Sequence, residues 1–279
     1  MPMTDIAVLV VSFDGYADLW DSMFACFFKY WPDCPYQVFL GTNDITFVDE
    51  RVTTIRIGPE RDYSSNLLKM LEGIPAEWVL LLADDVLLSG RADTGLVRQL
   101  VACAQRRVAG HVRLAVDPPY IAPVFATSAS AEEDGICEMP RGAPYRVSIG
   151  LDIYRRQVLE RLVVPGESVW ALERKGTLRS QDVPEAFYCV SRRVGPGRPF
   201  RFVHGIVGRR WTREAAAFLR REGLAASLAQ RPVAPLWHQL RVAVYSWLYY
   251  VVVRVLHAVA GTRFRDALAR FIAVRAEGH

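Results

Sequence analysis

The sequence predicts an α/β fold in which a mixed, mostly parallel sheet is flanked by helices and followed by a helical appendage. Short apolar runs alternate with segments of helical spacing from residue 6 to residue 82, in the order β-α-β-β-α-β. Strands that alternate with helices are typical of parallel sheets, because each parallel connection needs a crossover. Apolar residues make up 51% of the 279-residue chain, which is enough for a full core.

The first part of the chain predicts four strands and two helices. The strands are expected at residues 6–13, 37–40, 52–57 and 78–82, each a short apolar run bounded by turn residues. A stripe of aromatic side chains predicts a helix over residues 16–31, which Pro32 ends. The second helix is expected to be capped by Ser64 or Ser65 and closed by Gly73.

The second part of the chain predicts shorter elements around a long loop. Helices are expected over residues 95–107, 152–163, 168–174 and 212–221, and strands over 111–116, 145–149, 187–190 and 200–207. Residues 117–143 are rich in Pro, Ser and Glu, which favours a long functional loop or irregular hairpin.

The five cysteines are scattered, and no CxxC or Cys/His spacing indicates a zinc site. We interpret them as reduced thiols of a cytoplasmic protein. The apolar run at residues 6–11 is short and follows Asp5 where a basic residue would be needed, so no secretory signal is expected.

Charge divides the chain into two unequal parts. Residues 1–189 contain 18 Lys and Arg against 26 Asp and Glu, whereas residues 190–279 contain 16 against 4. Such a basic segment favours an anionic partner. We therefore predict a domain over residues 1–230 and a basic, aromatic, amphipathic tail over residues 231–279.

The tail predicts contact with a membrane surface. Residues 242–253 carry no charge and are bounded by Arg241 and Arg254. As a helix they would span about 18 Å against about 30 Å of hydrocarbon, too short to cross alone. Their Trp and Tyr residues favour an anionic bilayer interface, and residues 263–274 form a second amphipathic pattern. The alternative is docking onto the domain or onto a partner subunit of a homodimer.

Two adjacent carboxylates, Asp84 and Asp85, end the predicted strand at residues 78–82. Open α/β sheets bind ligands at the carboxyl ends of such strands. Buried carboxylates are costly unless a cation or hydrogen-bond donors meet them, and Mg²⁺ or Mn²⁺ prefers such oxygen ligands. The alternative is a surface turn whose aspartates cap residues 86–88.

Three fragments taken together resemble a known family. They are VSFDGYADLWDSMFACFFKYWPDCPYQVFLGTND at 11–44, SSNLLKMLEGIPAEWVLLLADDVLL at 64–88 and VPGESVWALE at 164–173. They are similar to bacterial sugar-nucleotide-dependent glycosyltransferases of the GT-A fold, close to the large family-2-like group, over about residues 5–215. The resemblance implies a nucleotide-binding sheet and an acidic DxD-type motif that holds a divalent cation on the donor diphosphate.

The resemblance assigns donor contacts to the ends of the first strands. Asp84 and Asp85 stand where the acidic motif belongs, with Asp85 the better metal ligand and Asp84 facing the ribose. Ala83 replaces the first acid of a full DxD motif, so strict dependence on Mn²⁺ or Mg²⁺ does not follow. The remaining nucleotide-sugar contacts that it implies are Ser12, Asp14, Asn43 and Asn66. Alternatively, Asp14 caps the following helix, and Asn43 is a turn residue.

Residues 167–173 resemble the acceptor-side segment, where an inverting enzyme keeps its general base. Trp170 and Glu173 are three residues apart and share a helical face, so Trp170 would be a sugar platform and Glu173 the base. Glu167 is the second candidate for the base. The alternative is that both glutamates are solvated helix carboxylates.

Residues 204–211, HGIVGRRW, form the third cluster. Glycines allow the backbone to approach a ligand closely, and Arg209 or Arg210 would clamp phosphates. In the family such a segment often supplies a phosphate or metal contact, which makes His204 a further candidate cation ligand. The alternatives are a structural role for His204 and a surface position for one of the arginines.

The leading functional hypothesis is a glycosyltransferase that moves a hexose-type unit from a nucleotide-diphosphate sugar to a glycan or a polyprenyl- or lipid-linked acceptor. Envelope polysaccharide or lipopolysaccharide assembly, peripheral on the inner face of the cytoplasmic membrane, would suit the tail. A nucleotidyltransferase would need a glycine-rich basic loop after the first strand, which SFDGYADLW lacks. A non-catalytic, membrane-associated scaffold is a further hypothesis, because Ala83 replaces the first acid of the DxD motif. Nucleic-acid binding is not expected, because the tail aromatics do not alternate with arginine.

Overall fold

The computed structural model describes residues 5–114, 135–143, 145–191, 194, 198–237, 244, 247, 248 and 251. The strands in this part of the chain are β1 Ile6–Val11, β2 Gln37–Thr42, β3 Val52–Arg56, β4 Trp78–Ala83, β5 Val86–Gly90, β6 His111–Arg113, β7 Ile136–Glu138, β8 Leu151–Arg155, β9 Phe187–Val190, β10 Arg201–His204, β11 Ile206–Val207 and β12 Arg210–Trp211. The α-helices are α1 Ala17–Tyr30, α2 Tyr63–Glu72, α3 Thr94–Arg106, α4 Arg156–Leu162, α5 Val169–Arg179 and α6 Arg213–Arg221. Short 3₁₀ turns cover Asp14–Tyr16 and Ala225–Ala229.

The main sheet has the order β3-β2-β1-β4-β8-β6-β9-β7. Strands β3, β2, β1 and β4 pair in parallel, as do β6 and β9. β8 is antiparallel to both of its neighbours, and β7 is antiparallel to β9. This topology confirms the predicted α/β class with a mixed, mostly parallel sheet.

The central strands are buried on both faces, which explains why their sequences are continuously apolar. Along β1, Ile6, Val8 and Val10 pack into one core with α1 and α3. The alternate residues, such as Leu9, pack into a second core with α2, α4 and α5. Two helical layers therefore cover the sheet, and its strand ends stay accessible.

A second, two-stranded sheet begins where β4 ends. After Asp84 and Asp85 the chain leaves the main sheet as β5, which pairs antiparallel with β10. The backbone N–H of Gly205 donates to the carbonyl oxygen of Asp85 at 2.6 Å, so the segment after β10 is bound to the same junction. The β11–β12 hairpin follows directly. The two aspartates thus lie where the chain passes from the main sheet to the two-stranded sheet.

Two predicted elements between residues 145 and 163 are wrong. No strand forms over residues 145–149, and the helix expected from residue 152 begins only at Arg156. Leu151–Arg155 is instead β8, inserted between β4 and β6. Tyr154 of β8 is fully buried and stacks on His111 of the neighbouring strand. A short apolar run fits either a buried strand or a helix turn, and the sheet decided between them.

Three element boundaries also differ from expectation. Asp62, not Ser64 or Ser65, caps α2, since its carboxylate accepts from the Ser65 N–H at 2.9 Å. α5 continues past Gly176 to Arg179, because this buried glycine lies close against Val147 and does not end the helix. The strand expected over residues 200–207 divides at Gly205 into β10 and β11.

Much of the predicted loop and tail falls outside the described residues. This applies to residues 115–134 of the loop, to the amphipathic segment 263–274, and to all but four residues of 238–279. Within the loop, residues 136–138 form β7. In the part of the chain that is described, no helix is both long and apolar enough to cross a membrane.

Candidate active site

A cleft of about 1060 Å³ opens at the carboxyl ends of β1 and β4. Its first wall comes from the residues after β1 and from α2, and its second from residues 145–152 and α5. The third wall is the β10–β11 segment. The ionisable and aromatic side chains that line it are Phe13, Tyr16, Glu60, Tyr63, Asp84, Asp85, Arg113, Tyr145, Asp152, Trp170, Glu173, Phe202, His204 and Arg209. The cleft therefore brings one group of carboxylates from β4 and another from β8 and α5 into one space.

Asp84 is a buried carboxyl held from the side of β1. The Ser12 hydroxyl donates to its Oδ2 at 2.5 Å, and Ser12 in turn accepts from the Trp20 indole N–H at 2.8 Å. Burial, followed by the charge of Asp85, raises the pKa of Asp84 to about 8. Asp84 is therefore mostly protonated at neutral pH until a positive group meets it.

Asp85 lies at the junction of the two sheets, next to the end of β10. Its Oδ2 accepts from the Ile206 N–H at 3.3 Å. Burial raises its pKa, and the charge of His204 opposes that effect. Among the residues that the structure describes, no three His, Cys, Asp or Glu side chains group closely enough to hold a metal ion. Asp85 with His204 is a pair at most, so further ligands would have to come from substrate and water.

Glu173 lies on the opposite side of the cleft, on α5. Its Oε1 accepts from the Ile149 N–H at 2.9 Å, which fixes the carboxyl group. Burial raises the pKa of Glu173 to about 7, while that hydrogen bond and the charge of Arg113 oppose the rise. A carboxyl group whose pKa lies near neutrality is well suited to general acid–base chemistry.

The segment that holds Glu173 is itself organised by Asp152, which sequence reasoning missed. The Asp152 carboxylate accepts from His111 Nε2 at 2.9 Å, from the Ser148 hydroxyl at 2.6 Å and from the Gly150 N–H at 2.9 Å. Although burial raises its pKa, the hydrogen bond from His111 holds that pKa below its usual value. Asp152 lies in β8, whereas the sequence predicts a helix at this position.

Arg113 and Tyr63 are two further cleft residues without a sequence signal. Arg113 is buried and donates to the Tyr145 carbonyl at 3.3 Å. The pKa of the Tyr63 hydroxyl is raised by burial and then by the charges of Glu173 and Asp84. Tyr63 therefore stays protonated near neutral pH, and it lines the same cleft as Glu173 and Asp84.

The side chain of Asn66, on α2, lines the cleft. This side chain is buried, and its Oδ1 has no hydrogen-bond partner among the residues that the structure describes. A buried acceptor left unpaired costs about 1–3 kcal/mol, so a donor on a ligand would bind there favourably.

Several predicted site residues serve the framework and do not line the cleft. The Asp14 carboxylate accepts three backbone N–H groups, those of Asn43, Asp44 and Ile45. Asn43 donates its amide to the Gly58 carbonyl and to Glu60. Both residues therefore shape the loops beside the cleft.

Glu167 and Arg210 also point away from the cleft. Glu167 forms a bidentate pair with Arg179, at 2.9 and 2.6 Å. This pair connects the residues before α5 to the last residue of the helix. Arg210 is exposed on β12, whereas Arg209, with a positive φ of 62°, lines the cleft. The predicted residues that the structure does bring together are Ser12, Asn66, Asp84, Asp85, Trp170, Glu173, His204 and Arg209.

No protein-family model and no curated protein matches the chain. Among solved structures, S. aureus TarS 1-349 aligns with 67% of this chain and 58% of that one, at 12% identity and a TM-score of 0.42. A longer S. aureus TarS structure aligns over 35% of its length, with a TM-score of 0.41. The mannosyltransferase PcManGT from Pyrobaculum calidifontis, in complex with GDP-Man and Mn²⁺, aligns with 98% of this chain and 80% of that one, at 16% identity and a TM-score of 0.47. The chain spans less than two thirds of either TarS structure.

Proposed function

We propose that the protein is a glycosyltransferase that moves a sugar from a nucleoside-diphosphate sugar to an acceptor hydroxyl, with inversion at the anomeric carbon. The observation that carries the proposal is the arrangement of the cleft, with Asp84 and Asp85 at the end of β4 and Glu173 facing them from α5. A donor held at the aspartates would present its sugar toward a positioned base. That is the arrangement a direct displacement needs.

The donor would occupy the half of the cleft between β1, α2 and the β10–β11 segment. Asn66 supplies an unpaired acceptor for a hydroxyl or amino group of the nucleoside. Arg209 supplies positive charge for the diphosphate. Asp84 completes this half as a group that ionises when positive charge approaches.

A divalent cation fits this half on the chemistry of its donors. Asp85 offers carboxylate oxygen and His204 offers imidazole nitrogen, a set that suits Mn²⁺, while Mg²⁺ would use the carboxylate. Two protein ligands are enough where substrate phosphates and water complete the coordination. A bound cation would stabilise the negative charge that develops on the leaving diphosphate.

The acceptor would enter over Trp170, whose side chain is 66% exposed at the opening of the cleft. Glu173 removes the proton of the acceptor hydroxyl, and that oxygen forms a bond to the anomeric carbon. The bond from this carbon to the diphosphate oxygen breaks, and its electron pair stays with the nucleoside diphosphate. The Ile149 N–H keeps the Glu173 carboxylate in place during the transfer.

The proposed acceptor is a glycan or a lipid-linked sugar of the cell envelope, reached from the cytoplasmic side of the membrane. The supporting feature is the basic, aromatic tail, in which Leu236, Trp237 and Trp247 are all more than half exposed. Arginines and interfacial aromatics favour an anionic bilayer surface. A self-associating tail in a homodimer is the alternative use of the same surface.

Calorimetric titration with UDP, GDP and dTDP, each with and without Mn²⁺, tests the proposed function. We expect one nucleotide to bind in the micromolar range or tighter and to gain affinity from the cation. Absence of binding by the wild type to all three nucleotides would refute the transferase and favour a scaffold. Turnover of a nucleoside triphosphate with a sugar phosphate would instead identify a nucleotidyltransferase.

Sedimentation with vesicles tests the membrane proposal. The full chain should pellet with anionic phosphatidylglycerol vesicles and not with neutral phosphatidylcholine vesicles. Replacing Trp237 and Trp247 by Ser should reduce the pelleted fraction. Equal pelleting of wild type and variant would contradict the proposal.

A further inference from the structure

Arg231 binds the loop that follows β1. Its Nε and Nη2 donate to the two carboxylate oxygens of Asp18 at 2.5 and 2.7 Å. Nη2 also donates to the Gly15 carbonyl at 2.8 Å, and the guanidinium carbon lies 4.3 Å from the centroid of the Tyr16 ring. Both members of the ion pair are largely shielded from solvent, with side-chain exposures of 11% and 12%. One guanidinium thus contacts Gly15 and Tyr16 of the 3₁₀ turn after β1 and Asp18 in the first turn of α1.

The next three residues bind the β11–β12 hairpin. The Trp211 N–H donates to the Pro232 carbonyl at 3.0 Å, and the Ala234 N–H donates to the Trp211 carbonyl at 2.8 Å. Val233 forms a parallel bridge with Trp211, whose side chain is fully buried. Residues 231–234 therefore connect two loops that are about 200 positions apart in sequence.

Both loops line the proposed donor half of the cleft. Tyr16 comes from the first loop and Arg209 from the second. Besides burial, the charges that act on the pKa of the Tyr16 hydroxyl are those of Asp84, Arg231, Asp85 and Arg209. Tyr16, Arg209 and the two aspartates after β4 line the same cleft.

We propose that Arg231 is a positioning residue of the donor site. By holding residues 15–18 while residues 232–234 hold the hairpin, it fixes the separation between Tyr16 and Arg209. This inference rests on the proposed function, because it concerns the half of the cleft that would receive the nucleoside diphosphate.

The planar guanidinium suits this task. It binds a carboxylate through two parallel N–H groups and stacks on an aromatic ring at the same time, which a lysine ammonium does not do. Without it, the two loops would occupy more arrangements in the free protein. The apparent nucleotide affinity would then equal the affinity of the competent arrangement multiplied by the fraction of molecules that adopt it.

Arg51 provides a matched control outside the cleft. It forms a bidentate pair with Asp49 and lies 3.8 Å from the centroid of the Phe28 ring, so it combines the same two kinds of contact. Arg51→Met should leave nucleotide affinity within about twofold of the wild type. Arg231→Met should weaken it by about tenfold or more, and Arg231→Lys should recover little of the loss.

The experiment measures nucleotide dissociation constants by calorimetry on the full-length protein, using the nucleotide that binds the wild type most tightly. Asp18→Asn is a second variant that removes the other side of the same pair, and it serves if Arg231→Met does not fold. The effects of Asp18→Asn and Arg231→Met on affinity should not add in the double variant. Hydrogen exchange in the ligand-free protein should quicken in residues 13–18 and 206–211 of Arg231→Met.

A purely structural role would lower thermal stability in Arg231→Met and leave nucleotide affinity unchanged, and that result would overturn the inference. Additive losses for Arg231→Met and Asp18→Asn would overturn it as well. If the wild type binds none of the nucleotides, the proposed function fails, and Arg231 is then a structural residue only. Nucleotide binding by the wild type with unchanged affinity in the variants refutes the inference alone.

Discussion

Replacing Glu173 by Gln removes one ionisable group from the cleft and changes its size very little. The Gln side-chain oxygen can still accept the Ile149 N–H that Glu173 Oε1 accepts at 2.9 Å. What the variant loses is the ability to take up a proton near neutral pH. The substitution therefore tests the base without removing the contact that positions it.

The size of the effect follows from the raised pKa. Burial raises the pKa of Glu173 from 4.5 to about 7. Between these values the folded protein keeps a proton that the unfolded chain has released, so stability falls as pH rises through this window. Each pKa unit corresponds to about 1.4 kcal/mol, so the whole shift corresponds to about 3 kcal/mol. Because the Glu173 side chain is only half-buried, this value is an upper limit.

Urea denaturation of wild type and Glu173→Gln across the pH range tests this shift. The free energy of unfolding of the wild type relative to the variant should decrease by up to about 3 kcal/mol from about pH 4 to about pH 8. A difference that stays flat over this range would refute the burial of an ionisable carboxyl group at this position.

The same variant tests the chemistry. In the wild type, kcat/KM for transfer should rise with pH and level off above about pH 7, as Glu173 loses its proton. Glu173→Gln should lower transfer by roughly 10²- to 10⁴-fold and keep nucleotide binding. Retained transfer would remove Glu173 as the base, even if the stability prediction holds.

Four further predictions follow from contacts in and beside the cleft. Asp85→Asn should abolish the Mn²⁺-dependent gain in nucleotide affinity measured by calorimetry, and a persistent gain would exclude Asp85 as a ligand. Arg113→Met should move the pH limb of kcat/KM to higher pH, because Arg113 lowers the pKa of Glu173, and an unmoved limb would contradict that. Trp170→Ala should raise the acceptor KM roughly tenfold without changing nucleotide affinity, and an unchanged acceptor KM would exclude a sugar platform. Glu167→Gln should lower the free energy of unfolding in urea by about 2–3 kcal/mol and leave the transfer kinetics of the folded enzyme unchanged. An unaltered urea midpoint would contradict a stabilising pair between Glu167 and Arg179.

The local pattern identified the part of the fold in which each strand is a separate apolar run. Strands β1 and β4 are buried on both faces, and their runs of Ile, Val and Leu marked them directly. The sequence did not predict β8, because Leu151–Arg155 continues without a break into α4. No turn residue separates the two elements, and the helix predicted over residues 152–163 extends across the boundary between them.

The residues of the candidate site also divide into those that the sequence predicts and those that it does not. Asp84 and Glu173 are carboxylates beside recognisable elements, so the sequence placed both near the cleft that the structure contains. Asp152 and Arg113 gave no signal, because each is one charged residue in a short strand whose neighbours come from distant segments. The carboxylate of Asp14 binds backbone N–H groups, and that of Glu167 binds Arg179, so neither lines the cleft.

The sequence by itself determined the α/β class and the position of two carboxylates at the end of a central strand, because burial on both faces leaves a direct record in residue order. It also records that residues 190–279 are basic, while a separate tail after residue 230 stays a prediction. Only the tertiary structure decided which carboxylates share a cleft, that Arg231 fastens two distant loops, and that the pKa of Glu173 lies near neutrality. These properties depend on desolvation and on neighbours far away in sequence, and local residue order records neither of them.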